Sequence, residues 1–470
     1  MTMMLFGPEL YYLGLAFIIF LMTLRRTPRV ERDYNLTAVL AGVGVLVSLL
    51  CLCQNGELFY KAYRVDLFSQ IFKAALALGL FLVIMISRNI AHIEERFRAE
   101  FYLFLTTCTL GMMMLTSSVE LLTIYVSLEL SSYSLYILVP LRRGDGIDVE
   151  AGIKYLFIGA VSSGFMLFGL SYIFGAAHST YLADIMKAMP QMLHSPIGLV
   201  GLILAMAGFF FKLSVFPFHF WAPDVYQGGA NQVVAFIAPA SKAVAVALIL
   251  RLAALGVGLG YNFAQVLMVL SIISMTLGNL VAIIQRDFKR MLAYSSIAHA
   301  GYVLMGIVGL QEAGFASAVY YALAYLIMNF TVFMVLSEVA SDGRDLKIAE
   351  LAGLWRRSPL LSMSLILGIF ALAGVPPSIG FTGKLFLFTS AMNSGYFWLV
   401  LIGAVNGTLS LYYYLKVVYA AYFMESDLPP IQLSLSTRLL NYALCAVILV
   451  FGVAPNSIIE LARAAVKTVI

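Results

Sequence analysis

Charge is scarce in this 470-residue chain. Asp, Glu, Lys and Arg make up 11% of it and hydrophobic residues 62%, against about 25% charged in a soluble globular protein. That shortage excludes the soluble class. Cysteine is also scarce: the four present, Cys51, Cys53, Cys108 and Cys445, all lie in apolar runs. Cys51 and Cys53, two apart on an expected helix, point to different faces, and no spacing resembles a zinc or iron–sulfur site. They read as small buried hydrophobes, and the run Met112 to Met114 as packing or lipid-facing surface. Ten-residue alternating segments are missing, which excludes a transmembrane β-barrel. Missing too are a nucleotide loop, a haem ligand pair and a flavin site, so no cofactor is expected on this chain and any redox chemistry belongs to other subunits. The longest polar connections, near 341–359 and 424–437, are too short for a soluble domain. The small net charge of +5 gives no reason to expect a nucleic-acid partner.

What is present is a succession of apolar runs of about 20 residues, each long enough to cross a bilayer as a helix. Fourteen spans are expected, near 8–24, 36–53, 66–88, 99–115, 118–140, 152–177, 198–217, 231–254, 263–284, 290–310, 314–340, 360–391, 395–423 and 438–459. The fold class is an all-α polytopic membrane protein. The first span has no preceding Lys or Arg and no small-residue cleavage site, so it reads as retained. Eighteen basic residues fall on one set of alternate loops, among them Arg25, Arg26, Arg29, Arg32, Arg142, Arg143, Arg356 and Arg357. Six fall on the other: Lys61, Arg64, Lys187, Arg251, Arg463 and Lys467. The positive-inside bias places both termini outside the cytoplasm.

Against this background five ionisable residues stand in strongly apolar stretches: Glu129, Lys212, Lys242, Lys384 and Lys416. Lys242 is about eleven residues from either end of its span, which at ~1.5 Å per residue is roughly 16 Å, the middle of a bilayer. An ionisable group at that depth costs ~3 kcal/mol on insertion scales, and by default it marks an ion or proton pathway. A lysine side chain reaching ~6 Å cannot snorkel from there, so Lys242 faces internal water or sits neutral. For Glu129 and Lys212, desolvation favours each neutral form while a nearby opposite charge favours the charged one. A neighbour can therefore switch the proton affinity of the lysine, as a pump element requires. The plainer reading of this pair is a static buried salt bridge. His219, in FPFHFW, reads as a relay near the cytoplasmic mouth, and His299, in SSIAHAGYVLM, as a link between two halves. Lys416 lies close enough to a span end to snorkel among tyrosines, and Lys73 and Asp66 read as near-interface residues.

Two spans are broken, the seventh and the twelfth. FFFKLSVFPFHFWAPDVYQGG carries Pro217 and Pro223 just after Lys212, and IFALAGVPPSIGFTGKLFLF carries Gly374, Pro376, Pro377, Gly380 and Gly383 just before Lys384. Such interruptions survive in a membrane where buried protein or water satisfies the freed backbone groups. Two breaks, each beside a buried lysine, mark inverted-repeat transporters. Spans 4–8 and 9–13 form the two expected five-helix units, with Glu129 and His299 on their second helices and Lys212 and Lys384 on their broken fourth. The strings AMAG (205–208) and ALAG (371–374) precede the lysines, which do not then align residue for residue. The expected division is an N-terminal three-helix segment (1–98), a first repeat (99–257), a second, inverted repeat (258–425) and a C-terminal helix (426–470).

The stretches FKLSVFPFHFWAPDVYQGGANQVVAFIAPASKAVAV, RDFKRMLAYSSIAHAGYVLMG and GVPPSIGFTGKLF resemble the antiporter-like membrane subunits of proton-pumping NADH:quinone oxidoreductase, complex I, and most nearly its N-type subunit. The similarity runs from about residue 100 to 425. It implies a fourteen-helix fold and a proton channel whose relay is Glu129, Lys212, Lys242 and Lys384, driven by quinone reduction elsewhere in the complex. It implies the inner membrane of a bacterial cell as the location, and the M-type antiporter-like subunit and small membrane subunits as partners. NADH, FMN, iron–sulfur clusters and quinone are then expected in partner subunits. A long C-terminal lateral helix, as in the L-type subunit, is not expected. The second reading is a subunit of a multisubunit Na⁺/H⁺ antiporter, which shares the fold and many of the lysines. A third, a non-transporting scaffold, is disfavoured by the complete set of four relay residues.

Overall fold

The computed structural model describes residues 2–25, 27–143, 147–255 and 261–469. Arg26, counted in the charge bias, and the 257/258 boundary between the expected repeats lie outside the described residues. After a short turn α1 (Thr2–Leu5), the N-terminal segment is α2 (Gly7–Thr23), α3 (Val30–Leu50) and α4 (Leu67–Ile86). Then come α5 (Arg98–Ser117), α6 (Leu121–Leu138), α7 (Ile147–Ala177), α8 (Leu182–His194), α9 (Pro196–Leu213) and α10 (Trp221–Gly228). Next, α11 (Asn231–Phe236) runs through a π-helical turn, Ile237–Ser241, into α12 (Lys242–Leu255). The remainder is α13 (Tyr261–Ile284), α14 (Phe288–Ile307), α15 (Glu312–Val339), α16 (Leu354–Arg357), α17 (Pro359–Ala373), α18 (Ile379–Asn393), α19 (Phe397–Phe423), α20 (Leu435–Val453) and α21 (Asn456–Val466).

Among the described residues, eleven helices are long and apolar enough to cross a membrane. The other three expected spans fall on helices that miss that measure for visible reasons. Helix α2 has only 17 residues. Helix α14 is interrupted by Lys289, Arg290, Ser295, Ser296 and His299. Helices α17 and α18, of 15 residues each, are the halves of a broken span.

Burial sorts the helices into a centre and a rim. Every residue in the apolar window of Asn231–Ala254 is buried, and 89% of that of Glu312–Val339, so α11–α12 and α15 are the centre. Peripheral helices keep an apolar outer face: on α6, Leu122, Val126, Leu130, Tyr133 and Ile137 are exposed at three- and four-residue spacing. That stripe is the pattern of a helix facing lipid.

Three elements lie in stretches that read as plain connections. Strands β1 (Gly56–Leu58) and β2 (Tyr63–Val65) form an antiparallel hairpin with Gly56 opposite Val65. Helices α8 and α21 are amphipathic; α8 buries Leu182, Ile185, Met189 and Met192, and α21 buries Ile459, Ala462 and Val466. Their apolar residues mark one helical face and are too few to form a 20-residue apolar run.

The two breaks close in the same way. Ser214, at φ 64°, ends α9, and Gly374, at φ 85°, ends α17. In each, the next amide reaches back five residues, Val215 to the Phe210 carbonyl and Val375 to the Phe370 carbonyl, both at 2.9 Å. Both helices thus end in the same Schellman closure, at Ser214 and at Gly374. Lys212 stands on the last turn before its break, and Lys384 on the second turn after the other.

A cluster of charges ties the arginine-rich face together. Arg142 and Lys289 both reach Asp345 Oδ1, at 2.7 and 2.8 Å, and Arg142 also donates to the carbonyls of Gln227 and Gly228 at the end of α10. Burial pushes the Asp345 carboxyl up, but the Lys289 ammonium and the Arg142 guanidinium outweigh it and hold the group below its ordinary value.

Candidate proton-relay site

The site begins on α6. Glu129 is buried there, and its Oε1 accepts a hydrogen bond from Ser163 on α7. One turn further along α6, Ser132 accepts 2.9 Å from Lys212 Nζ, a side chain with no exposed surface at the end of α9. Among the described residues no ion pair joins Glu129 to Lys212 directly. The α6 face, with the carboxylate and the hydroxyl three residues apart, holds both.

Lys242 opens α12 immediately after the π-helical turn. Such a turn, here with Pro239 inside it, widens the helix and often stands at a functional position. Its ammonium donates 2.5 Å to the Ser296 carbonyl on α14 and lies 5.9 Å from the centre of the Tyr325 ring. Lys242 and His299, with Leu213 (next to Lys212), Tyr321 and Tyr325, line a cavity of about 10 Å³, close to the least volume that holds one water.

Helix α14 then carries the line onward. Ser296, His299 and Tyr302 are spaced three apart, and ~1.5 Å of rise per residue makes that strip roughly 9 Å long. His299 Nδ1 is 2.6 Å from the Tyr321 hydroxyl and its Nε2 3.1 Å from that of Tyr414, which also meets Ser295 at 2.5 Å. At the far end, Lys384 sits 4.8 Å from the Tyr302 ring centre. Its ammonium donates to the carbonyls of Leu372 and Ala373, at 3.0 and 2.8 Å. Those carbonyls end α17, where the helix dipole favours a cation.

Five of the six sequence-selected residues therefore fall into two connected groups, Glu129–Lys212 and Lys242–His299–Lys384. His219 stands apart: it is stacked on Phe216 with the tilted ring of Phe220 beside it, and among the described residues its Nδ1 has no hydrogen-bond partner. Lys416 donates 2.8 Å to the Ile283 carbonyl at the end of α13, with Tyr412 beside it, a cap near the helix terminus. The serines and tyrosines that complete the site (Ser132, Ser163, Tyr302, Tyr321, Tyr414) were passed over because they are ordinary in a span. Helical spacing from Glu129 and His299 would have found Ser132 and Tyr302.

Three further charges lie differently from their sequence reading. Lys73 and Asp66, expected near an interface, are buried, and so is Arg251, counted among the loop charges. The reason is pairing: Lys73 meets Glu9 at 2.7 Å, and Arg251 grips both oxygens of Asp66.

An all-helical membrane bundle with two interrupted spans, each holding a buried lysine at its break, defines an antiporter-like subunit. The chain belongs to the family described as NADH:quinone oxidoreductase/Mrp antiporter, TM, which its residues 118–410 match. It is 48% identical to NADH-quinone oxidoreductase subunit N 2 of Syntrophobacter fumaroxidans over the whole of both chains. With the protein of the same name from Opitutus terrae the identity is 42%, over 97% of this chain and 96% of that one. Respiratory complex I from Thermus thermophilus with bound aureothin contains a chain that is 30% identical, with TM-score 0.83, covering 98% of this chain and 100% of that one. A chain of the Mrp complex from Dietzia sp. DQ12-45-1b superposes with TM-score 0.87 over 99% of this chain and 97% of that one. At 17% identity that likeness shows the fold alone.

Proposed function

We propose that this chain is a proton-translocating membrane-arm subunit of an NADH:quinone oxidoreductase, complex I, and that Glu129, Lys212, Lys242, His299 and Lys384 form its relay. One observation carries the reading: three buried lysines, each held by neutral oxygens, are strung through the centre of the bundle along α6, α9, α12, α14 and α18. A carbonyl or hydroxyl orients an ammonium without neutralising it. Each lysine can then lose its proton to a neighbour and regain one without breaking a strong ion pair.

In this reading a proton bound near Glu129 is passed to Lys212 and crosses at the cavity beside Leu213 to Lys242. It runs along the Ser296–His299–Tyr302 strip to Lys384. Quinone reduction in partner subunits supplies the energy. NADH, FMN, the iron–sulfur clusters and quinone belong to those partners, among them the M-type antiporter-like subunit and small membrane subunits. The chain is a multi-pass protein of the bacterial inner membrane, with fourteen spans, both termini on the non-cytoplasmic side and repeats over 99–257 and 258–425. His219 keeps a lesser place as a group at the cytoplasmic mouth.

The Na⁺/H⁺ antiporter subunit is the weaker reading, because its support is likeness of fold while the full-length relatives are oxidoreductase subunits. Tagging the chain, solubilising the membrane gently and assaying what travels with it separates the two. A flavin- and iron–sulfur-containing assembly that oxidises NADH with quinone is the expected result. A purified assembly without flavin that exchanges Na⁺ for H⁺ would overturn it.

A further inference from the structure

A second group of buried charges lies outside the relay, at the opposite face from Arg142 and Asp345. Glu9, in the first turn of α2, and Lys73, on α4, have no exposed surface, and Lys73 Nζ is 2.7 Å from Glu9 Oε1. The same oxygen accepts 2.5 Å from the Tyr63 hydroxyl on β2. Two turns away along the same face of α4 stands Asp66, gripped by Arg251 of α12 at 2.9 and 3.0 Å and approached by Arg64 at 3.7 Å. Gln70 lies between Asp66 and Lys73 on that face. Among the described residues, neither Gln70 amide atom nor Glu9 Oε2 finds a hydrogen-bond partner. Buried polar groups are satisfied in the great majority of structures, water serving where protein does not, so the unpartnered atoms of this strip call for water.

The two arginines that hold Asp66 at the end of the strip also line a cavity. This cavity, of about 590 Å³, is lined by Arg64, Arg251, Glu57, Lys61, Asp184 and the tip of the β-hairpin at Tyr60. It lies on the face that the charge bias assigns to the non-cytoplasmic side. Inward, α4 packs against α11, α12 and α15, the central helices of the bundle, of which α12 carries Lys242. Arg251 and Lys242 share α12, nine residues and roughly 13 Å apart.

We propose that Glu9 and Lys73, assisted by Tyr63, are the proton-release site of this chain, delivering protons along the Gln70 strip to the Arg64–Arg251 vestibule. This inference rests on the relay reading above. In the resting pair Lys73 is an ammonium and Glu9 a carboxylate. The ammonium gives its proton to Glu9, leaving a neutral amine and a carboxylic acid. The acid releases that proton to water in the strip and becomes a carboxylate again, and the amine takes a new proton from the relay side. One proton has then crossed and the pair is restored. Asp66 and Arg251, joined through one guanidinium nitrogen that reaches both carboxylate oxygens, position the strip without changing protonation.

The test uses the purified complex in proteoliposomes and reads protons moved per NADH oxidised. The double variant Glu9→Gln/Lys73→Met removes both charges together, which avoids stranding one of them in the interior. Lys73→Arg keeps the cation and the pairing but holds its proton. Both are expected to lose as much pumping as Lys212→Ala in the same preparation. Wild-type pumping by the assembled double variant, or by Lys73→Arg, overturns the release site and leaves a structural staple. If Lys212→Ala itself pumps normally, the relay reading has failed instead, so the two failures are distinguishable.

Discussion

The ammonium of Lys384 donates 2.8 Å to the carbonyl oxygen of Ala373, the last residue of the half-helix on the other side of the break. The cation thus closes the chain interruption that makes room for it. Gly374 permits the approach, since a Cβ there would stand 2.8 Å from Lys384 Cδ and the backbone is at φ 85°. Gly374→Ala therefore costs about 1–2 kcal/mol in backbone strain and pushes the lysine away from its carbonyls. The expected outcome is an assembled complex with several-fold lower proton pumping per NADH. Normal pumping would separate the Lys384 position from its function.

The role proposed for Glu129 rests on its charge. Glu129→Gln keeps the size and the contact with Ser163 but removes the anion beside Lys212, whereas Glu129→Asp keeps the anion. Quinone-coupled pumping in membrane vesicles is expected to be several-fold higher in Glu129→Asp than in Glu129→Gln. Equal activities would point to a packing role.

The Asp345 junction sets an acid limit on stability. Its carboxyl is held below the ordinary value by Lys289 and Arg142 in spite of burial. The stabilisation is therefore present above the unfolded carboxylate pKa of about 3.9 and is lost as pH falls through the lower folded value. Asp345→Asn is expected to lower the thermal stability of the complex at neutral pH, by on the order of 1–3 kcal/mol for charged hydrogen bonds lost. The difference from wild type should shrink as the pH approaches 3. A gap that stays constant down to that pH would show that the charge is not what stabilises the junction.

Much of this molecule was legible from the residues. A charge in the middle of an apolar span has few bland explanations, so Glu129, Lys212, Lys242 and Lys384 stood out, and the proline and glycine clusters located both breaks. The partners did not stand out, because Ser132, Tyr302 and Tyr414 gain their role only through which helices pack together. The pairing of Glu9 with Lys73 and of Asp66 with Arg251 was not legible for another reason. The burial of all four depends on pairings between separate elements, Glu9 of α2 with Lys73 of α4 and Asp66 with Arg251 of α12, which no single span displays. The shared Schellman closures at Ser214 and Gly374 are properties of the backbone and were not legible in the strings AMAG and ALAG.

The proposed topology puts both ends of the chain on one side. Cysteines introduced at Thr2 and Thr468, in a background without the native four, are expected to react with an impermeant maleimide in cells whose outer membrane alone is permeabilised. Protection of either site until the inner membrane is opened would break the fourteen-span topology.

The central claim is that protons pass through the buried amines themselves, and Lys242 tests it most directly. It lies at the start of α12 within an apolar window whose every residue is buried, held by the Ser296 carbonyl with no carboxylate within 4 Å among the described residues. Lys242→Arg retains a cation there, but a guanidinium does not give up its proton in proteins. The measurement is protons translocated per electron by the assembled, reconstituted complex carrying Lys242→Arg, beside Lys242→Met. Both are expected to lose this chain's share of pumping; a Lys242→Arg complex that pumps like wild type would contradict the relay.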